Sequence, residues 1–326
     1  MQKFVFTCGD INGIGPEIVI KTLNKISSKS SYRFYFICPA NVFNKICQTV
    51  KPEFQYQIVK EFDQSLQLPV QVIDIGKVKT NPGKATRESG RSSFNAIELA
   101  FELAERKKVD AIITAPISKT AFNLAGINFP GHTEMLAKWS GVKDYVMMFL
   151  SEKINAALLT IHKPIKKVPG LLTKERLSNT IKILLHTLKN DLNISNPDIA
   201  ILGLNPHAGE KGMIGSEEEE IIKPVIKNLR QTKNISGPFS PDAFFGAKMY
   251  KDFDLVLGMY HDQVLIPFKL LNFSSGVNYT AGLRIVRTSP DHGVAYDIAW
   301  KNVADESSMT KAYEYAKLIL KNRNNQ

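Results

Sequence analysis

Three of the six histidines in the chain follow apolar, β-prone runs, and each lies in a predicted turn. They are His162 after Ala156–Ile161, His207 after Ile199–Leu204 and His261 after Leu255–Tyr260. Positions this distant in sequence cannot share one helix or hairpin, whereas the carboxyl ends of parallel strands lie along one edge of a sheet. Three imidazoles with open coordination positions suit a catalytic divalent metal. The pattern predicts a metal site, with hydrogen-bonded loop histidines as the alternative.

Polar and basic residues follow the third histidine within the stretch Asp254–Asp297. They include Lys269, Asn278, Arg284, Arg287, Asp291 and His292. Arginine binds phosphate as a fork and lysine as a point charge. Earlier in the chain, His132 and Thr133 stand at a predicted helix start, where free backbone N–H groups favour anions. Beside a metal that holds a hydroxyl, these groups indicate a phosphorylated hydroxy substrate, without choosing oxidation over hydrolysis or aldol cleavage.

The elements that must position these residues alternate between strands and helices. The predicted strands are Phe4–Cys8, Arg33–Cys38, Val70–Ile75, Val109–Thr114, Tyr145–Leu150, Ala156–Thr160, Asp198–Leu202 and Leu255–Leu257. Helices are predicted from Pro16, over Phe94–Ala104, over Thr173–Lys189, after a capping box of Ser216 and Glu219, from Ser240, and over Met309–Leu320 before a frayed tail. This alternation indicates an α/β fold with a largely parallel sheet.

The first strand leads into a glycine-rich turn that is not a dinucleotide fingerprint. Gly9–Glu17 reads GDINGIGPE, so Gly13 and Gly15 lack the third glycine of the G-x-G-x-x-G spacing. A P-loop Gly-Lys-Ser/Thr is also absent from the sequence. These observations argue against a classical Rossmann cofactor site.

Composition narrows the class of function. A length of 326 residues with 44% hydrophobic and 22% charged content is typical of a two-domain globular protein. The net charge of +11 comes from scattered lysines and arginines without a nucleic-acid-binding motif, so it favours an anionic small substrate over nucleic acid. No apolar run approaches the roughly 20 residues that span a bilayer. Three cysteines without a CxxC pair indicate a reduced, cytoplasmic protein.

Six motifs taken in order resemble one known family. They are Gly13–Glu17, Ala115–Lys119, Gly131–Glu134, Asn205–Glu210, Tyr260–Gln263 and Arg287–Gly293. Together they resemble the 4-hydroxythreonine-4-phosphate dehydrogenases of pyridoxal 5′-phosphate biosynthesis. The first loop lacks the Pro-Ala that is usual in the family, and the segment after His261 is bulkier than usual, although Lys269 keeps its matching position.

The resemblance implies a fold and a reaction. The fold is α/β and similar to the isocitrate and isopropylmalate dehydrogenases, with two domains around a cleft. Residues 1–127 with 288–326 form the cofactor side, and residues 128–287 supply metal, substrate and dimer contacts. The implied enzyme is a homodimer whose active site is shared between subunits. It oxidises 4-phosphooxy-L-threonine at C3 with NAD, or NADP, and one divalent ion such as zinc, magnesium or cobalt, and the product decarboxylates.

The resemblance also assigns site residues. The implied metal ligands are His162, His207 and His261. The implied substrate contacts are His132, Thr133, Lys269, Asn278 and Arg287. Asp242 and Lys269 are the candidates for the general base, and the cofactor contacts stay unassigned. The alternatives are a related dehydrogenase of 4-phosphothreonate or 4-phosphoerythronate, a metal-dependent phosphatase or aldolase, and a basic nucleic-acid-binding protein.

Overall fold

A computed structural model describes residues 1–27, 32–65, 68–230 and 234–325. The chain divides into two compact units. The first is Met1–Gly141 with Arg284–Leu320, and the second is Val142–Leu283 with Lys321–Gln326. The expected division into a cofactor side, 1–127 with 288–326, and a side with metal, substrate and dimer contacts, 128–287, stays a prediction.

Strands and helices alternate along most of the chain. The elements up to residue 139 are β1 Lys3–Thr7, α1 Gly15–Ile26, β2 Arg33–Ile37, α2 Ala40–Ile46, β3 Tyr56–Val59, β4 Val70–Ile73, α3 Arg87–Glu105, β5 Ala111–Thr114, α4 Lys119–Leu124 and α5 His132–Trp139. The remaining elements are β6 Val146–Leu150, β7 Ala156–Leu158, α6 Val168–Leu171, α7 Lys174–Asn190, β8 Ile199–Leu202, α8 Lys223–Arg230, β9 Ile235–Phe239, α9 Pro241–Gly246, β10 Leu255–Gly258, α10 His261–Asn272, β11 Val277–Ala281, β12 Val286–Pro290 and α11 Ser307–Asn324.

The first unit is built on parallel strands in the order β3-β4-β2-β1-β5-β12. Strands such as KFVFT and RFYFI are almost continuously apolar, as expected where helices cover both faces of a sheet. Phe4 and Phe6 are fully buried, and the ring of Tyr313 from α11 meets Phe4 edge-on at 4.9 Å between centroids. These contacts pack α11 against β1.

The second unit has the strand order β11-β6-β7-β10-β8-β9. Strands β7, β10, β8 and β9 pair in parallel, while β6 is antiparallel to both β7 and β11. A buried cluster that includes Phe149, Phe244 and Phe268 packs against this sheet. The parallel middle strands end at one edge of the sheet, so the loops that follow them are neighbours.

Helix boundaries follow both local and distant signals. Thr173 caps α7 by accepting a hydrogen bond from the backbone N–H of Arg176, which confirms the predicted start of that helix. The expected frayed tail is wrong, because α11 continues to Asn324. Nε of Arg323 donates to Asp191 at 2.6 Å and fixes the last turn.

Strand β3 lies at an edge of the first unit's sheet in the segment Lys51–Leu68, where the sequence contains no recognisable motif. Residues 66 and 67 of that segment lie outside the described part of the chain. Among the helices described, none is long and apolar enough to cross a membrane.

Candidate functional site

The loops that follow β7, β10 and β8 lie side by side, because β10 pairs in parallel with both of the other strands. His162 stands shortly after β7, His261 opens α10 just beyond β10, and His207 lies in the loop that leaves β8. The predicted parallel arrangement of these strands is confirmed. The role of the three histidines as metal ligands stays a prediction.

The imidazoles of His162 and His261 are neighbours, with ring centroids 5.7 Å apart and planes tilted by 35°. Nδ1 of His261 donates to the carboxylate of Asp262 at 2.6 Å. Because a carboxylate accepts this bond, the ring proton lies on Nδ1 and Nε2 is left with the lone pair that a metal needs. The pair therefore presents the donor chemistry of a divalent-metal site.

The third histidine lies in a left-handed turn. Residues His207–Lys211 have φ values of 52°, 49°, 79°, 43° and 56°. Only Gly209 in this run lacks a Cβ, and each L-residue in such a conformation costs roughly 1–2 kcal/mol. Such backbone strain persists only where surrounding contacts hold the backbone in place. Strained residues of this kind are concentrated at functional sites.

The acidic run after this loop does not form the capping box predicted from Ser216 and Glu219, so that prediction is wrong. The segment begins with a π-helical turn, Glu218–Ile222, without a side-chain cap hydrogen bond at its start. Glu218 is fully buried, and its carboxylate accepts hydrogen bonds at 2.7 and 2.8 Å from two backbone N–H groups of the loop after β8. One member of the acidic run thus supports the loop that carries His207.

The three predicted ligands are not gathered into one cluster. Among residues 1–27, 32–65, 68–230 and 234–325, no group of three or more His, Cys, Asp or Glu side chains is arranged to hold a metal ion. The donor set nevertheless fits a divalent ion in kind, since two imidazoles are neighbours and one of them has its ring orientation fixed by a carboxylate. His162, His207 and His261 are therefore kept as the proposed ligands.

A second group of predicted site residues lies in the first unit. His132 begins α5, as predicted, and the charge of Arg287 on β12 acts on it. Burial holds the pKa of His132 well below its usual range, and Arg287 lowers it further. His132 is half-buried, yet its Nε2 atom is buried and has no hydrogen-bond partner among the described residues. This neutral imidazole therefore keeps a ring nitrogen for a polar ligand.

Arg287 is only 2% exposed. Its Nε and Nη2 atoms donate to Oγ1 of Thr114 at 3.0 and 2.7 Å. Burial lowers the pKa of Arg287 to about 9, and the charge of Glu134 opposes that effect. Thr133, next to His132 at the start of α5, is also buried. The first unit thus holds a buried cation and two polar groups of the kind that bind a phosphate.

The remaining predicted site residues belong to the second unit. Lys269 lies exposed in the last turn of α10, and Asn278 is half-buried on β11. Asp242 is exposed in the first turn of α9, where Oγ of Ser240 donates to it at 2.5 Å. That hydrogen bond, with smaller contributions that include His207, holds the pKa of Asp242 below its usual range. A lowered pKa makes Asp242 the weaker base at neutral pH.

The glycine-rich turn after β1 packs closely against other segments of the first unit. A Cβ at Gly13 would lie 2.6 Å from the carbonyl oxygen of Val294. The buried carboxylate of Asp10 accepts hydrogen bonds from Tyr296 at 2.7 Å and from Ser89 at 3.0 Å. Burial raises the pKa of Asp10. The turn therefore connects segments of the first unit that are distant in sequence.

Sequence reasoning gave no supporting role to the groups that hold the histidine loops. Asp262 and Gln263 follow His261 directly, and both make hydrogen bonds in this region. Glu218 reads in sequence as one more charge at an acidic helix start. The sequence indicates their supporting role only through their nearness to predicted ligands. A buried hydrogen bond to a distant loop produces no pattern in the sequence around the residue that makes it.

Comparison with known proteins shows full-length similarity to one family. A sequence model described as "Pyridoxal phosphate biosynthetic protein PdxA" matches residues 30–316. The 4-hydroxythreonine-4-phosphate dehydrogenase of Sulfurihydrogenibium sp. (strain YO3AOP1) is 41% identical over 98% of this chain and 98% of that protein. The D-threonate 4-phosphate dehydrogenase of Salmonella typhimurium is 36% identical over 97% of this chain and 98% of that protein.

Comparison with solved structures shows similarity to the same family and to a second group of dehydrogenases. The crystal structure of the 4-hydroxythreonine-4-phosphate dehydrogenase from Klebsiella pneumoniae superposes with a TM-score of 0.83 at 35% identity, covering 98% of this chain and all of that one. The isocitrate dehydrogenase of Methylococcus capsulatus has a TM-score of 0.51 at 12% identity, covering 99% of this chain and 87% of that one. This second likeness concerns the fold alone and confirms the predicted fold class.

Proposed function

The chain belongs to the pyridoxal phosphate biosynthetic protein PdxA family, and we propose that it is an NAD-dependent 4-hydroxythreonine-4-phosphate dehydrogenase. It oxidises 4-phosphooxy-L-threonine at C3 to 2-amino-3-oxo-4-phosphooxybutanoate, which loses CO₂ to give 3-amino-2-oxopropyl phosphate. The observation that carries this proposal is 41% identity over nearly the full length to a dehydrogenase of that name. The three histidines in the loops that follow adjacent parallel strands also support this proposal.

His162, His207 and His261 would hold the divalent ion. A bound divalent ion lowers the pKa of a coordinated hydroxyl and polarises a carbonyl. The carboxylate of Asp262 orients the ring of His261 by accepting the proton of Nδ1 at 2.6 Å. In the neutral ring this contact places the proton on Nδ1, so the protein supplies Nε2 as a ligand nitrogen in the correct tautomer. Zinc, cobalt and magnesium are the candidate ions, and histidine ligands favour the first two.

The phosphate end of the substrate is assigned to Lys269, Asn278 and Arg287 with His132 and Thr133. The buried guanidinium of Arg287 offers a fixed positive charge, and the neutral ring of His132 offers a nitrogen without a partner among the described residues. NAD, or NADP, supplies the hydride acceptor, and its contacts in this chain are unassigned. Lys269 and Asp242 are the two candidates for the general base, and the Ser240 hydrogen bond lowers the basicity of Asp242.

A homodimer with an active site shared between subunits is part of the proposal. Helix α10, which His261 begins, carries Ile266, Leu270 and Phe273 at helical spacing on its outer side or just past its end. Their exposed fractions are 60%, 83% and 89%. Large apolar side chains exposed together mark protein–protein contact sites. Burial of this face against a second copy would bring the partner to the helix that begins with a predicted metal ligand.

The cytoplasm is the proposed location. Cys8, Cys38 and Cys47 are all free thiols, and the first two are buried. Unpaired cysteines of this kind suit a reducing compartment.

A dehydrogenase of another phosphorylated acid is the second candidate, favoured by the similarity to the D-threonate 4-phosphate dehydrogenase of Salmonella typhimurium. The deciding experiment measures NADH formation with 4-phosphooxy-L-threonine, 4-phosphothreonate and 4-phosphoerythronate, each with NAD and a series of divalent ions. We expect the highest kcat/KM with 4-phosphooxy-L-threonine. A higher kcat/KM with either other substrate would favour the second candidate, and no NADH with any of them would refute both.

A further inference from the structure

The carboxylate of Glu218 lies under the loop that carries His207. Its Oε1 accepts hydrogen bonds from the backbone N–H groups of Leu204 and Asn205 at 2.7 and 2.8 Å. Its Oε2 accepts a third hydrogen bond, from Nδ2 of Asn205 at 2.9 Å. Glu218 is fully buried, and N–H bonds accepted by a carboxylate are among the stronger hydrogen bonds in proteins. Three of them bind one side chain to two consecutive loop residues.

The same carboxylate touches the loop on both sides of these residues. A Cβ at Gly203 would lie 3.1 Å from Oε1, and a Cβ at Gly209 would lie 2.6 Å from Oε2. The loop backbone therefore approaches Glu218 at two glycines that bracket His207. The strained left-handed turn from His207 to Lys211 persists only if neighbouring groups hold its backbone in place. The carboxylate of Glu218 is one of these groups.

Two further side chains connect the loops of the three histidines. Nε2 of Gln263 donates to the carbonyl oxygen of Gly203 at 2.6 Å, and its Oε1 accepts from the N–H of Met259 at 2.7 Å. Oγ1 of Thr160 donates to the carbonyl oxygen of Met259 at 2.6 Å. Thr160 precedes His162 closely, and Gln263 follows His261 closely. Buried hydrogen bonds therefore set the spacing of the loops after β7, β10 and β8.

We propose that Glu218 is a positioning residue for His207. It holds the loop after β8 in the left-handed conformation from which His207 presents its imidazole to a divalent ion. This inference rests on the metal site proposed above, and it adds a buried acidic side chain that is not itself a ligand. The physical role is pre-organisation, since a ligand whose loop is already fixed loses less freedom on binding a metal.

The test compares Glu218→Gln with the matched control Glu220→Gln. Both changes remove one carboxylate from the same acidic run, but Glu220 is exposed. Glutamine at 218 keeps the volume and one acceptor, yet its amide nitrogen faces the Nδ2 donor of Asn205. We expect this variant to loosen the loop and the control to leave it unchanged.

The first readout needs no metal. Lys211 is exposed in the loop, so the rate of tryptic cleavage after Lys211, followed by mass spectrometry, reports how often the loop opens. We expect cleavage at least about tenfold faster in Glu218→Gln than in wild type. Equal rates would refute the anchoring role. Should Glu218→Gln fail to fold, Asn205→Ala removes the side-chain amide that donates to Glu217 and Glu218 and keeps the two backbone hydrogen bonds to Glu218. We expect it to shift both readouts in the same direction.

The second readout is Co²⁺ affinity by isothermal titration calorimetry. We expect Glu218→Gln to weaken Co²⁺ binding about 10- to 100-fold, the range found for groups that orient metal ligands. In a His207→Ala background the same change should weaken binding no further, because it acts through His207. Full weakening in that background, or wild-type affinity in Glu218→Gln, would overturn the proposal. Wild-type protein that binds no Co²⁺ would refute the metal site itself, and the cleavage rates would still decide the anchoring role separately.

Discussion

Gly209 offers a direct measurement of how firmly the His207 loop is held. A Cβ there would lie 2.6 Å from Oε2 of Glu218 and 3.0 Å from the carbonyl oxygen of Gly215, at φ +79°. Gly212 follows in the same loop at φ +95°, and a Cβ at that position would have nothing within 4 Å. Alanine at either position is strained in its backbone, but only alanine at 209 must displace the carboxylate. The difference between the two variants therefore reports the contacts of the added Cβ, of which the one with Glu218 is the shorter.

The magnitude follows from three contributions. A left-handed alanine costs roughly 1–2 kcal/mol. Alanine also restricts the unfolded chain more than glycine does, which stabilises the folded state by about 0.4–1 kcal/mol at both positions. Displacing a carboxylate from its hydrogen bonds costs about 1.5–3 kcal/mol more at 209 alone. We therefore expect Gly209→Ala to lower the free energy of unfolding by about 2–4 kcal/mol and Gly212→Ala by about 1 kcal/mol.

The assay is urea unfolding followed by circular dichroism, with the midpoints compared at equal m-values. Gly170→Ala is the control for the substitution itself, since Gly170 lies in α6 and a Cβ there would have nothing within 4 Å. We expect that control to be neutral or slightly stabilising, because alanine favours a helix over glycine. Equal destabilisation by Gly209→Ala and Gly212→Ala would show that the carboxylate is not fixed against the loop, and would refute this reasoning.

Three further predictions concern pH, stability and assembly. Burial depresses the pKa of His132 below 6.5 in the folded state, so the unfolded chain binds the extra proton. The free energy of unfolding should therefore fall as the pH drops below about 6.5. In denaturation at several pH values, His132→Asn should remove this part of the dependence of the free energy of unfolding on pH. Asp191→Ala removes the carboxylate that accepts hydrogen bonds from Arg323 and Tyr279. With 26% of the Arg323 side chain exposed, we expect the free energy of unfolding in urea to fall by about 2–3 kcal/mol, and an unchanged midpoint would contradict the role of the ion pair. Leu270→Glu should shift the protein toward monomer in sedimentation velocity, whereas Leu124→Glu, also at an exposed leucine, should not; the same mass for both variants would contradict the proposed interface.

The parallel strands were predictable because their signals are local. Runs such as Ile199–Leu202 and Leu255–Gly258 are short and apolar, and each ends at a polar loop. The start of α7 was equally readable, since Thr173 is a good N-cap residue before an amphipathic segment. From these strands alone, the loops of the three histidines could be placed at one edge of a sheet.

The failures have a common physical cause, which is contact with residues distant in sequence. The predicted capping box of Ser216 and Glu219 does not form, and the neighbouring Glu218 accepts hydrogen bonds from the loop after β8. The C-terminal tail is helical to Asn324 because Arg323 donates to Asp191. The left-handed turn at His207 had no local signal beyond one glycine, since its other residues disfavour that conformation.

The most direct test of the proposed function is NADH formation by chelator-treated protein given NAD and 4-phosphooxy-L-threonine. We predict no activity until a divalent ion is added, recovery in wild type with zinc, cobalt or magnesium, and no recovery in His207→Ala. Activity that persists in chelator, or that returns equally in His207→Ala, would contradict the proposed metal-dependent dehydrogenase.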